Sequence, residues 1–202
     1  MEYKVLHTNA ENYMVEKLRK LGHDVSREHA CNHEVIFDIY DKTTDTAYEI
    51  LTAKIIRSTY EKDEAIIAKI FSYLLHCKNL IFVLVSYNHE ELEIFHKLKL
   101  EHIHLECNWN NEIIAEKYHK GFTAREIAKR ILKLLKSIAP IDEWISEDRR
   151  KKHSKMPEEF EKLTKKYGLP ENFLKGLWKD WHLAWVLRME KALLKWKNKR
   201  LR

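Results

Sequence analysis

The chain has 202 residues, 45% of them hydrophobic, which is enough for one full domain with a buried core and an extension. Residues 1–110 hold 13 basic and 18 acidic residues (net −5), whereas residues 111–202 hold 24 and 13 (net +11), which favours an acidic working part and a basic part that meets a polyanion. The N-terminus does not resemble a signal peptide and no apolar run is long enough to cross a bilayer, so we expect a soluble, cytoplasmic protein.

The first half of the chain alternates between helical and strand patterns. Residues 9–22 predict a helix with an apolar stripe and a glycine stop; the stripe is Ala10, Met14, Leu18 and Leu21. Three strands, a second helix, a strand buried on both faces, a third helix and a short edge strand follow, at 23–30, 33–42, 46–54, 58–77, 79–88, 89–100 and 101–107. This order, α-β-β-β-α-β and onward, predicts an α/β fold with a mixed central sheet.

Residues 109–202 read as an all-helical, basic extension. The segment "FTAREIAKRILKLLKSIAP" begins with a capping box, Thr123 and Glu126, and has an apolar stripe. The stripe is Ile127, Ile131, Leu134 and Ile138, and a separate basic ridge is Arg125, Lys129, Lys133 and Lys136. A charged linker adds Arg149, Arg150, Lys151 and Lys152. We predict that these cations contact nucleic-acid phosphates; the alternative is that they are simply solvated.

The last predicted helix, from about Pro170 to Lys199, is apolar on two faces. One face carries Trp178, Trp181, Trp185, Met189 and Trp196, and the other Leu183, Leu187 and Leu194. Since a surface helix needs one apolar face, two faces predict a second partner, and we expect a homodimer. The alternative is that the tryptophans stack on nucleic-acid bases.

Two carboxylates lie in apolar strands of the predicted hairpin "FDIYDKTTDTAYEILTAK". Asp38 follows Phe37 in the first strand, and Glu49 is flanked by Tyr48 and Ile50 in the second. Acidic residues are depleted in strands and are rarely buried unpaired, and two on adjacent strands can share a face and repel each other. A hard cation such as Mg²⁺ would offset that repulsion. The alternative is a sheet-edge position or a pairing with lysine or arginine.

The hairpin resembles the signature of the PD-(D/E)XK nuclease superfamily, in which an acid ends one strand and E-x-K lies on the next. The stretch "NAENYMVEKLRKLGHDVSR" also resembles the first helix and strand of archaeal Holliday junction resolvases, with Glu11 at the helix-borne metal ligand. "FDI" matches the family's "PDI" and "YEILT" its "IEVKS", which places the other acids at Asp38 and Glu49. The resemblance covers about residues 4–87 and implies a restriction-endonuclease-like core, here 1–108, followed by the extension 109–202. The helical second half is similar to nucleases of archaeal spindle-shaped viruses.

Leu51 stands where the family has its lysine, which activates water or neutralises transition-state charge. Strand alternation puts residue 51 on the face of Glu49 and residue 54 on the other face. Lys54 substitutes only if the strand bulges or ends there, while Lys62 and Lys69 on the following helix are further alternatives. The remaining possibility is that the chemistry is lost.

The resemblance implies a Mg²⁺-dependent DNA endonuclease, with Mn²⁺ as an alternative ion, acting on branched or duplex DNA. Asp38, Glu49 and Glu11 would hold the metal, and Lys54 would serve as the catalytic lysine in place of the one that Leu51 replaces. The competing hypotheses are a DNA-binding or architectural protein on an inactive nuclease fold, and a protein-interaction module built on the tryptophan-rich helix.

A second set of metal-type residues lies in "HACNH" and "HIHLEC", and consists of His29, Cys31, His33, His102, His104 and Cys107. They lack the close ligand pairs of structural zinc sites, so we expect surface or interface histidines instead of zinc ligands.

Overall fold

The computed structural model describes residues 2–31, 35–52, 63–87 and 93–138. These residues form a six-stranded mixed sheet with helices on both faces, which is an α/β fold as predicted. The helices are α1 (Glu2–Lys20), α2 (Asp63–Tyr73), α3 (Glu93–Leu98) and α4 (Ala124–Ile138). The strands are β1 (Val25–Cys31), β2 (Val35–Asp41), β3 (Thr46–Thr52), β4 (Asn79–Ser86), β5 (His102–Cys107) and β6 (Ile113–His119).

The strands lie in the sheet in the order of the chain, β1 to β6. The pairs β3–β4 and β4–β5 are parallel, and the other three pairs are antiparallel. The two parallel pairs put β3 and β4 in the middle of the sheet, where helices cover both faces and strands become uniformly apolar. All seven residues of β3 are accordingly buried, Glu49 among them.

Each face of the sheet has its own apolar core. On one face α1 packs Leu6, Ala10 and Met14 against Ile39 and Ile50, together with residues of β4 and β5. The opposite core joins α2, α3 and α4 to the sheet, and its members include Phe37, Ala47, Leu51, Ile66, Ile70, Phe82, Phe95, Ile127 and Ile131. Both cores include residues of β2 and β3, the strands that carry Asp38 and Glu49.

Several predicted details of the fold need correction. Residues 113–119 were expected in an all-helical extension, but they form β6, whose register on β5 joins them to the same sheet. β5 is therefore an interior strand rather than an edge strand. Because α4 also packs in the core with α2, residues 113–138 belong to the same folded unit as the described residues of 2–107. Pairing of this kind depends on tertiary contacts, and β6 is largely exposed, so its sequence has no alternating apolar pattern.

Helix α1 begins at Glu2, seven residues before the predicted start. Leu6 lies one turn before Ala10 and is fully buried, so the apolar stripe is one turn longer than predicted. Leu21, which was assigned to that stripe, is 65% exposed beyond the helix end.

Four sets of residues for which the sequence makes predictions lie outside the described residues. They are His33, the lysines Lys54 and Lys62, the linker cations Arg149, Arg150, Lys151 and Lys152, and the tryptophan-rich last helix.

Candidate metal centre

The candidate site lies where β2 and β3 separate. Their ladder runs from Asp41↔Thr46 to Ile39↔Tyr48 and is not continued to Asp38. Phe37 and Ile39 would face the same side of a regular strand, yet they belong to opposite cores, so β2 changes its facing at Asp38. The Asp38 carboxylate instead accepts the backbone N–H of Ile50 at 2.7 Å. That hydrogen bond satisfies a donor that the separated strands leave without a ladder partner.

Helix α1 brings two further ligand-type side chains to Asp38. His7 and Glu11 are four residues apart and so lie on one face of the helix, with His7 Nδ1 3.7 Å from Glu11 Oε1. His7 Nε2 lies 3.5 Å from Asp38 Oδ2. One donor atom from each of the three residues falls within 4.8 Å of the others, and across the described residues no other three His, Cys, Asp or Glu side chains meet this way. We call them the His7–Glu11–Asp38 group; their atoms suit a divalent cation.

The electrostatics of the group are those of anions gathered around one histidine. The contact with Asp38 is the main reason that the pKa of His7 is raised, and it outweighs burial, which acts in the opposite direction. Burial raises the pKa of Glu11, while His7 offsets part of that rise. The charged form of Glu11 is therefore favoured by nearby positive charge, which a protonated His7 and Arg27 supply and to which a bound cation would add.

Glu49 belongs to a neighbouring but separate set of contacts on the other face of the sheet. Its Oε1 is paired with Lys69 Nζ, and the Tyr73 hydroxyl lies 2.9 Å from its Oε2. The same hydroxyl is 3.2 Å from the carbonyl oxygen of Ile36, so Tyr73 fills the gap between β2 and β3. Burial raises the pKa of Glu49 to about 7 against the opposing effect of Lys69. We call this the Glu49–Lys69–Tyr73 group.

The three sequence-predicted acids thus converge only in part. Glu11 and Asp38 meet at the metal-type group, whereas Glu49 faces α2 and pairs with a lysine, which is the alternative that the sequence left open for a single acid. Asp38 and Glu49 do not share a face of the sheet, because β2 changes its facing at Asp38.

Leu51 lies on the same side of β3 as Glu49, as strand alternation predicted. It is fully buried in the core beneath α2 and α4, where its burial stabilises the fold by about 1.5–3 kcal/mol. Of the lysines considered as substitutes, Lys69 is described, and its ammonium reaches Glu49 from α2.

His7 was missed by the sequence reasoning. The signal was present, since His7 and Glu11 have the i,i+4 spacing and lie beside the buried stripe through Leu6 and Ala10. A helix assumed to begin at Asn9 left His7 outside the element that positions it.

The predicted basic ridge has mixed roles in the structure. Arg125 is tied down, because its Nε donates to the carbonyl of Lys78 at 2.8 Å and its side chain thereby fastens α4 to the start of β4. Lys129 and Lys133 are exposed, and nothing is described of the Lys136 side chain. Two cations of the ridge therefore remain directed at solvent.

The histidines of β5 were expected on the surface or at an interface, and this is wrong for two of them. His102 and His104 are buried, with His104 Nε2 2.8 Å from the Ser86 hydroxyl and His102 stacked on His119 at 4.4 Å between ring centroids. His29 stacks on Tyr40 in the same manner, at 4.7 Å. Packing between strands, which composition does not show, accounts for the burial of His102 and His104.

No protein-family model matches this chain, and no curated protein and no solved structure is significantly similar to it. Within the described ranges, none of the helices combines the length and the apolar composition needed to cross a membrane.

Proposed function

We propose that the chain is a metal-dependent, resolvase-like DNA endonuclease that hydrolyses phosphodiesters of branched or duplex DNA on a restriction-endonuclease-like core. The observation that carries the proposal is the convergence of His7, Glu11 and Asp38 at the point where β2 and β3 separate. It brings carboxylate oxygens and an imidazole nitrogen to one place, with a third acid, Glu49, and a lysine on the adjoining strand and helix.

His7, Glu11 and Asp38 would hold a divalent cation, which would supply Lewis-acid activation of water and charge neutralisation at the phosphate. Lys69 provides a positive charge at Glu49, beside the apolar position of Leu51. In the proposal, Lys69 neutralises the buried Glu49 carboxylate on the α2 side of the sheet and does not act at the metal. Tyr73 holds the Glu49 carboxylate on the side of α2 and so fixes the position of the pair.

The partner in this proposal is DNA, held by the basic second half of the chain. Lys129 and Lys133 are exposed on α4 and suit sequence-independent contacts with phosphates. We further propose a homodimer, formed through the last helix that the sequence predicts, which would present two sites to a branched substrate.

Cleavage of labelled junction, flap and linear duplex DNA, with Mg²⁺ or Mn²⁺, tests the function. We expect Asp38→Asn to lower the cleavage rate by at least about 100-fold, as the loss of one charge-stabilising group does. Asparagine keeps an oxygen that can accept the Ile50 N–H, so the strands stay in place. Asp24→Asn is the matched control, because it removes the same charge from a side chain that is 69% exposed. Equal rates for the two variants would refute the proposal.

A second candidate function is DNA binding on a nuclease fold that no longer cuts. Two observations favour it: Leu51 is an integral part of the apolar core, and Glu49 is buried with both oxygens engaged. It predicts salt-sensitive binding to DNA and no cleavage with any divalent ion. Cleavage that Glu49→Gln abolishes would exclude it.

A further inference from the structure

We propose that the metal of this site is held by His7, Glu11 and Asp38 without Glu49, and that this nitrogen-containing donor set selects a first-row transition ion such as Mn²⁺ over Mg²⁺. The inference rests on the proposed function and deepens it, because it concerns the cofactor of the same site. It departs from the ligand set that the superfamily resemblance implies, in which Glu49 is a ligand and Mg²⁺ the ion.

The position of the three residues supports the donor set. His7 and Glu11 are held on a helix whose stripe is anchored by the fully buried Leu6 and Ala10. Asp38 is held from the opposite side by the N–H of Ile50. The His7 and Asp38 side chains remain about one-fifth exposed, at 23% and 22%, so an ion can reach them from solvent. The site therefore combines fixed ligands with an entry path.

The surroundings of Glu49 argue against its being a ligand. Lys69 Nζ is bound to its Oε1, so the cation at that carboxylate is already the lysine ammonium. Its Oε2 receives the Tyr73 hydroxyl at 2.9 Å, and the side chain is only 7% exposed. A second cation at Glu49 would have to displace Lys69 in a buried position. The lysine and the metal are consequently assigned to different carboxylates on opposite faces of the sheet.

The donor chemistry then decides the class of ion. Carboxylate oxygens accept Mg²⁺, but Mg²⁺ disfavours nitrogen ligands and gives up its waters reluctantly. An imidazole together with carboxylates suits Mn²⁺ and the later first-row ions, whose affinity for nitrogen is higher. Histidine is thus the residue that sets the preference, and replacing it with a carboxylate should move the site toward Mg²⁺.

The test is the binding of Mn²⁺ and of Mg²⁺ to the full chain, by isothermal titration calorimetry and, for Mn²⁺, by electron paramagnetic resonance. We expect wild type to bind Mn²⁺ at least about tenfold more tightly than Mg²⁺, a difference of about 1.4 kcal/mol. His7→Ala and Glu11→Gln should each weaken Mn²⁺ binding by at least about tenfold, since even outer-shell partners of a metal are worth roughly 10–100-fold. His7→Asp should reduce the ratio of the affinity for Mn²⁺ to the affinity for Mg²⁺.

Two variants serve as controls. Glu49→Gln should weaken Mn²⁺ binding by no more than about fivefold, the effect of a neighbouring charge that is not a ligand. His96→Ala removes an exposed histidine of α3 outside the group and should change nothing. Circular dichroism and thermal unfolding confirm that each variant is folded; if His7→Ala does not fold, the ion preference of His7→Asp and the loss in Glu11→Gln still decide.

The inference is overturned if wild type binds no Mn²⁺, if Mg²⁺ binds as tightly as Mn²⁺, or if Glu49→Gln loses the metal as Glu11→Gln does. These outcomes are separate from the failure of the nuclease proposal. Binding of Mn²⁺ by the three residues without cleavage of any DNA would contradict the nuclease proposal and support the metal site. Cleavage of DNA by a protein that binds Mg²⁺ as tightly as Mn²⁺ would support the nuclease proposal and contradict the selectivity for Mn²⁺.

Discussion

At the scale of single residues, three acids of the hairpin, Asp38, Asp41 and Glu49, are held in the strands by three different sets of contacts, and two of them, Asp41 and Glu49, are buried. Asp41 is fully buried and organises the turn after β2, accepting the Thr43 N–H at 2.9 Å and contacting His23 Nδ1 at 2.7 Å. Glu49 is matched by Lys69, and Asp38 by a backbone N–H and a histidine. A buried charge must be paired or hydrogen-bonded, but the sequence does not tell which partner satisfies it. The acid spacing alone therefore overestimated how many carboxylates lie together in the structure.

Glu49 should make the stability of the protein depend on pH. Its pKa is raised by burial to about 7 in the folded state, against 4.5 as its ordinary value. Between these two values the folded chain binds more protons than the unfolded chain, so the contribution of Glu49 to stability falls as pH rises from about 4.5 to about 7. Lys69 contacts Glu49, and the charges of Asp38 and His7 act on it from the other face of the sheet. Urea unfolding of wild type and Glu49→Gln at pH 5 and pH 8 should show the glutamine variant gaining relative stability at pH 8.

Glu16→Gln is the control for that comparison, because it removes a glutamate from an exposed position on α1. A stability difference between wild type and Glu49→Gln that does not change between pH 5 and pH 8 would contradict the assignment of a perturbed Glu49.

At the scale of elements, the start of α4 was predicted in detail and confirmed. Glu126 Oε2 accepts the Thr123 N–H at 2.8 Å, and the Glu126 N–H donates to the Thr123 hydroxyl at 3.2 Å. This capping box is a local pattern, so the sequence is sufficient to define it. The buried stripe through Ile127 and Ile131 was predicted for the same reason.

Thr123→Ala should lower the free energy of unfolding by about 1 kcal/mol, because the first turn of α4 loses its side-chain acceptor. Thr8→Ala is the matched control: Thr8 is exposed in the interior of α1, where alanine has the higher helix propensity, so stability should stay level or rise slightly. Chemical denaturation monitored by circular dichroism measures both. An equal loss in the two variants would mean that the cap contributes nothing of its own.

Other elements could not have been predicted from local pattern. β6 is stabilised by its ladder with β5 and by Lys17 and Tyr13 of α1, which contact Glu116 across the fold. The change of facing at Asp38 results from the separation of β2 and β3, which is a property of the sheet. His7 joins the site only because α1 crosses the sheet above that separation. The order of the elements up to β5 and two of the three metal-type residues followed from the sequence, whereas β6 and the partner of each acid depended on long-range contacts.

At the scale of the whole molecule, the charge difference between the halves does not coincide with a structural boundary. α4 carries part of the basic ridge, yet it is packed into the same core as the acidic half through Ile127 and Ile131. Arg125 belongs to that packing, since it holds the carbonyl of Lys78. Only the cations that the core does not use remain for a polyanion, and within the described part of α4 these include Lys129 and Lys133.

Replacing both lysines, Lys129→Gln with Lys133→Gln, should weaken DNA binding without changing stability. Each lysine that no longer neutralises a phosphate reduces the steepness of log affinity against log salt by about 1, so the double variant should reduce it by about 2. Fluorescence anisotropy with a duplex at several salt concentrations measures the slope. Lys20→Gln with Lys117→Gln, two exposed lysines at the end of α1 far from His7 and on β6, is the control of equal charge. Identical slopes in the two double variants would show that α4 does not meet the DNA.

Asp38 accepts the backbone N–H of Ile50, and this hydrogen bond gives it a structural role that is independent of catalysis. A descendant of a nuclease that had stopped cutting would still need an acceptor at position 38 to keep β3 in place, and it would still need Lys69 beside a buried Glu49. The presence of Asp38 therefore does not indicate whether the protein is an enzyme. Among the described residues, neither His7 nor Glu11 accepts a backbone N–H in this way, so whether homologous proteins retain them is the better indicator of selection for metal binding.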